Sequence, residues 1–169
     1  MRLPSTAASL GLLALLSIPA ARAEVTVSFV QPEHYTDVGA YGRDGNRNLL
    51  TLERHLETQA SRCLRDGESL DLRVLDVDLA GHNEWWHPGA YDLRVMRDIT
   101  WPRLDIEFAW RGAQGEVLGE GRERVSDLNY LWRSAYLRAD SDPLPYERAM
   151  LRDWIERRFC AREQARRTG

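Results

Sequence analysis

The densest run of potential ligands in this 169-residue sequence is Asp76, Asp78, His82, Glu84 and His87. Asp76 and Asp78 stand two residues apart and so share one face of a strand. The loop beyond them adds two imidazoles, and the combined set could hold Zn²⁺ or another divalent ion and support a metal-assisted hydrolase. No H-E-x-x-H is present, and the spacing of His82 and His87 does not align them on a helix, so only a folded loop could bring them together. A structural reading fits the same carboxylates. Paired with Arg97 or Arg103, or accepting backbone N–H bonds at a bulge, Asp76 and Asp78 would fix the register of their strand.

A second candidate is aromatic. Trp85, Trp86 and Tyr91, with Asn129, Tyr130 and Trp132 farther along, could form a platform for a sugar or peptide, since indole and phenol rings bury large area at small entropic cost. Trp85 and Trp86 are neighbours in a loop and cannot easily both point inward. The plainer alternative places at least half of these rings in the core or in a lid. Ser126-Asp127-Leu128-Asn129-Tyr130 gathers Ser, Asp and Tyr, yet G-x-S-x-G is absent and no His adjoins Ser126. A capped turn ending a strand explains those residues more economically. Neither a phosphate loop nor a dinucleotide fingerprint occurs. Arg148, Arg152, Arg157 and Arg158, followed by Arg162, Arg166 and Arg167, make the C-terminus locally basic, a pattern that suits anionic lipid or lipopolysaccharide. Glu147, Asp153 and Glu156 among them favour a solvated helix face.

The elements that must position these groups follow from periodicity. Val25, Val27 and Phe29 alternate with polar residues as a first strand that Pro32 ends. Asn46 is a candidate N-cap, after which Leu49, Leu52, Leu56, Ala60 and Cys63 recur at helical spacing until Asp66-Gly67. Leu70, Leu72 and Val74 alternate, then the apolar phase slips to Leu75, Val77 and Leu79, which predicts a β-bulge near Val74 and Leu75 or a strand covered on both faces. Tyr91, Leu93 and Val95 suggest a short strand. Leu104, Ile106, Phe108 and Trp110 alternate with an outer face that is largely charged, a turn spans Gly112 to Gly115, and residues 117–125 return as a more polar strand. Asp142-Pro143 is a candidate cap and first position for a last helix, in which Tyr146, Met150 and Trp154 form one row and Leu151, Ile155 and Phe159 the next. The economical architecture is an α+β fold: an antiparallel sheet of four to five strands with two amphipathic helices on one face.

The compartment is read from the N-terminus and the cysteines. Arg2, an apolar run from Leu10 to Ile18 and Ala21-Arg22-Ala23 describe a cleaved signal peptide over residues 1–23, with no Cys at the junction to accept a lipid. A single domain over 24–161 and a polar tail over 162–169 remain, and no later stretch is apolar enough to span a membrane. In an oxidising compartment Cys63 and Cys160 would form a disulfide; two separate buried thiols are the alternative. Arg supplies every one of the 23 Lys+Arg residues, against 26 Asp+Glu, and the net charge of −3 disfavours nucleic acid as a partner.

Four stretches in order carry a family resemblance: Leu75-Asp76-Val77-Asp78-Leu79-Ala80-Gly81, Arg97-Asp98-Ile99-Thr100-Trp101-Pro102-Arg103, Ser126-Asp127-Leu128-Asn129-Tyr130-Leu131 and Asp142-Pro143-Leu144-Pro145-Tyr146-Glu147. With them the sequence resembles the bacterial domain-of-unknown-function family numbered 3016. The resemblance implies an exported protein and no particular reaction, cofactor or partner; His82, His87 and the cysteines fall outside its pattern. The expectation is therefore a periplasmic or secreted non-catalytic domain without a cofactor. It would bind an envelope component or another protein through the Trp85 to Tyr91 loop and the Ser126 to Tyr136 segment. The metal-assisted hydrolase on Asp76, Asp78, His82 and His87 is the competing reading.

Overall fold

Alternation of apolar and polar side chains produces strands, and the strands lie where the pattern is strongest. The structure is a computed structural model that describes residues 22–39, 43–84, 94–132 and 143–161. Its elements are β1 (Glu24–Phe29), α1 (Arg43–Ser61), β2 (Ser69–Asp78), β3 (His82–Asn83), β4 (Arg94–Val95), β5 (Arg103–Arg111), β6 (Val117–Ser126) and α2 (Pro145–Phe159), with single 3-10 turns at Pro32–His34 and Tyr130–Trp132. Four strands form one sheet in the order β1-β2-β5-β6, and β3 and β4 pair separately. The α+β class and a sheet of about four strands agree with the sequence reading.

The sheet is mixed, which corrects the expectation of antiparallel pairing throughout. β1 runs parallel to β2, with Glu24 opposite Ser69 and Phe29 opposite Val74. A helix explains the direction: the 19 residues of α1 rise ~28 Å and return the chain to the end of the sheet where β1 began. The remaining neighbours, β2 with β5 and β5 with β6, are antiparallel.

The bulge falls where the apolar phase slips. Register passes from Val74 opposite Ile106 to Asp76 opposite Asp105, leaving Leu75 unpaired. The inward set consequently changes from Leu70, Leu72 and Val74 to Val77 and Leu79, all buried. Two helix starts differ from expectation. α1 begins at Arg43, so Asn46 lies inside the helix and is not its cap. α2 begins at Pro145 after Leu144 in a left-handed conformation. Pro145, not Pro143, therefore takes the first helical position, where a missing N–H costs nothing.

Both helices cover the same face. Leu52, Leu56 and Ala60 from α1 and Met150, Leu151, Trp154, Ile155 and Phe159 from α2 pack on the inward residues of β2 and β5. Phe159 stands edge-on to Phe108, Trp110 and Trp154 with ring centroids 5.6, 5.5 and 5.4 Å away. Each buried indole keeps a partner for its N–H: Trp110 donates to Glu68 at 3.2 Å and Trp154 to Glu123 at 2.7 Å. The opposite face is charged. Arg73 pairs with Glu107, and Arg124 and Arg122 hold the Asp105 carboxyl below its ordinary pKa. Among the described residues no helix is long and apolar enough to cross a membrane.

A disulfide joins Cys63, just beyond α1, to Cys160, just beyond α2, across 97 residues. Replacing both cysteines (Cys63→Ala with Cys160→Ala) should lower stability by about 2–4 kcal/mol, below the chain-entropy ceiling of ~4.7 kcal/mol for a loop of this length. Urea unfolding checks it: the variant and the reduced parent should share one lowered midpoint, and an unchanged midpoint would show that the bridge adds no stability.

Candidate functional site

Where β2 passes its bulge and leaves the sheet, its backbone must find new partners, since a buried N–H or C=O left unpaired costs free energy comparable to a lost hydrogen bond. Side chains from distant segments supply them. At the bulge the Val74 carbonyl accepts from Val30 N and from the Tyr35 hydroxyl, at 2.9 and 2.7 Å. Burial pushes the Tyr35 pKa up to about 12. Asp76 accepts from its neighbour Val77 N at 2.9 Å and from Thr36 N and Oγ1 at 2.7 Å each. Leu79 N donates to the Asp37 carbonyl and Gly81 N to the Thr100 carbonyl, at 3.1 and 2.9 Å.

Two ionisable side chains complete this end of the strand. Arg94 reaches the Ala80, Leu79 and Gly81 carbonyls at 2.6, 3.0 and 2.9 Å and Asp37 Oδ2 at 2.7 Å. Glu147, fully buried, accepts the Ala80 N–H at 2.6 Å. Burial raises the Glu147 pKa; the hydrogen bonds from Ala80 and from its own backbone N–H, and the charge of Arg94, oppose that rise. Glu147 is the third residue of α2, the position at which a carboxylate meets the exposed N–H groups and positive end of a helix. Gly81 is required here: its φ is 75°, and a Cβ would lie 2.6 Å from the Val95 carbonyl oxygen.

A small second core seals the site. Ala80, Tyr130 and Tyr146 are buried together, with Trp101 and Leu131 against them. The Tyr130 hydroxyl donates to the Arg97 carbonyl at 2.6 Å, and its ring meets Tyr146 edge-on at 4.9 Å. Asp127 Oδ1 accepts from Asn129 N at 3.1 Å, the Asx turn expected after the strand.

The sequence candidates fare differently. Asp76 is engaged as described, and Asp78 pairs with Arg103 at 2.6 Å. Burial raises the Asp78 pKa while Arg103 lowers it. His82 is exposed, with Nδ1 3.9 Å from Asp37 Oδ2, and buried Glu84 pairs with Arg97 at 2.5 Å. Among the described residues no three His, Cys, Asp or Glu are grouped to hold a metal ion. Trp85, Trp86, His87 and Tyr91 lie outside the described residues. Tyr130 is fully buried, which corrects its placement on an open stacking platform: its ring fills the second core. Asn129 and Trp132 are exposed, Trp132 at 89%. Ile99 and Leu128 are also exposed, so apolar side chains project from both turns that Tyr130 joins. Sequence reasoning missed Asp37 and Arg94, and it placed Glu147 on a solvated helix face, which the structure corrects: the side chain is buried against the Ala80 N–H.

The family model described as "Protein of unknown function (DUF3016)" matches residues 23–157. The chain belongs to this family. Segments from all four stretches that carry the DUF3016 resemblance meet at the end of β2, through Asp78 to Arg103, Ala80 to Glu147, Gly81 to Thr100 and Tyr130 to Arg97. No curated protein matches the chain. A solved structure, that of a minor lipoprotein from Acinetobacter baumannii, is similar at 12% identity over 85% of this chain and 94% of that one, with a TM-score of 0.30 that carries no argument.

Glu147→Ala should destabilise the fold by about 2 kcal/mol by leaving the buried Ala80 N–H without its acceptor, whereas Glu147→Gln keeps an acceptor and should cost less. The pH dependence has a defined sign. Because the folded carboxyl holds its proton more tightly than the unfolded one, its favourable contribution is complete below the ordinary carboxylate pKa and is lost as pH rises through the raised folded value. Stability of Glu147→Gln relative to the parent should therefore improve across that window. Denaturation midpoints measured from acid to neutral pH check both statements, and a parallel pair of curves would contradict the second.

Proposed function

We propose that this member of the DUF3016 family is an exported, non-catalytic binding domain of the cell envelope. Its contact surface consists of the apolar turns around Tyr130, and its partner is an envelope component or another protein. The observation that carries the reading is Trp132, exposed at 89%, with Leu128 at 62% and Ile99 at 71% on the adjoining turns. Covering one large apolar side chain is worth ~1.5–3 kcal/mol, and aromatic anchors dominate the energetics of protein interfaces. The ionisable groups beneath these turns support a scaffold role, because Asp37, Asp76, Asp78, Arg94 and Arg103 hold backbone or one another. Export is supported by the signal-like residues 1–23, by a first strand that starts at Glu24, and by the Cys63–Cys160 bridge.

A photoreactive amino acid placed at position 132 in cells should give an adduct of one discrete mass with an envelope component. The same group at Val117, exposed at 54% beside the β5–β6 turn at the far end of the sheet, should give none. Equal adducts at both positions, or none at either, would refute the assigned surface.

A further inference from the structure

We infer that the groove between α1 and α2 is an anion site that takes a phosphate group. Thr51, Arg54 and Thr58 of α1 and Arg62 just beyond its end follow one another at intervals of three and four residues and so form a single stripe along one side of the helix. Arg148 of α2 closes the opposite wall of an open cavity of about 340 Å³. Among the described residues no carboxylate lines it.

Two arginines here, Arg54 and Arg62, differ from those on the sheet. Arg73, Arg103 and Arg124 each meet a carboxylate. Arg54 and Arg62 are exposed and, among the described residues, have no ion pair, although the chain as a whole is acidic. Guanidinium groups present planar forks that match the oxygens of a phosphate, and Thr hydroxyls can add neutral hydrogen bonds to it. Phosphate on a lipid headgroup and soluble phosphate share this chemistry.

His55 forms the floor and reports on the site. It is 8% exposed, its Nε2 lies 2.8 Å from the Arg148 carbonyl oxygen, and its Nδ1 faces Arg148 Nε at 3.5 Å. Burial first, and then the charges of Arg148, Arg152 and Arg62, lower its pKa to about 4, against the hydrogen bond to the Arg148 carbonyl. An anion seated between Arg62 and Arg148, which both line the groove, offsets part of their field, so its arrival raises the His55 pKa. This site does not depend on the apolar turns of the proposed function.

The test is an NMR titration of the histidine rings in the full, oxidised chain with inorganic phosphate at constant ionic strength. The expected result is a saturable shift of the His55 signals and a rise in its pKa, with His34 unmoved. Arg54→Gln plus Arg62→Gln, both at exposed positions, should weaken phosphate binding by about tenfold or more. No saturation, a shift of equal size at His34, or undiminished binding by the double variant would overturn the assignment. Vesicles of phosphatidylcholine with and without phosphatidylglycerol then separate the sources. Phosphate-competed recruitment to the phosphatidylglycerol vesicles assigns a lipid headgroup, and phosphate binding without recruitment assigns a soluble phosphate.

Discussion

The backbone of β2 beyond its bulge is the constraint on which the rest of this structure depends. A strand inside a sheet is satisfied by its neighbours on both sides. Residues 79–81 have left the sheet yet remain buried, so every N–H and C=O there needs a partner brought from elsewhere. Asp37, Arg94, Thr100 and Glu147 come from four separate parts of the chain to provide them. The start of α2, the β3–β4 ribbon and the turn before β5 are thereby placed with respect to the sheet by hydrogen bonds, in addition to the apolar contact that holds the helices on it.

Charge in this protein is used mainly to hold geometry. Ion pairs between one buried carboxylate and one more exposed arginine recur: Asp78 with Arg103, Glu84 with Arg97, Asp105 with Arg124. Each places a guanidinium at the rim, where water still solvates it, and a carboxylate just inside, where several donors surround it. Such pairs add modestly to stability, but removal of one partner leaves a buried charge, which is why they specify register strongly. The helix layer follows another rule. Between α1 and α2, Arg54 and Arg62 face solvent beside a groove that no carboxylate of the described residues lines, and the charges of Arg148, Arg152 and Arg62 act on the buried His55 imidazole.

The elements were legible from the sequence because side-chain period is local. The slip from Val74 to Val77 pointed to a bulge or a strand covered on both faces, of which the structure shows the bulge, and the rows Tyr146-Met150-Trp154 and Leu151-Ile155-Phe159 identified the buried face of α2. The direction of β1 was not legible from alternation, because a strand of period two reads the same whichever way its neighbour runs. Helix starts differed by a few residues. Asn46 and Pro143 have suitable chemistry, yet α1 runs from Arg43 and α2 from Pro145. The candidate site was half legible. Asp76, Asp78 and the segment 126–131 drew notice by residue type, while Arg94 and Asp37 are one arginine and one aspartate among many.

The sequence by itself determined the class, the sheet's strands, the buried helix faces and the family, since periodicity and ordered motifs are properties of the chain in one dimension. Only the tertiary structure decided which ionisable groups face one another. Whether Asp76 meets Thr36 or a metal ligand, whether Tyr130 stacks on a ligand or on Tyr146, and whether Glu147 lies in water or under Ala80 all depend on contacts across 30 residues or more, or, for Tyr130 and Tyr146, on the packing of two separate elements. Local pattern carries no information about such pairs, because the free energy that selects them arises only when folding removes water from both partners.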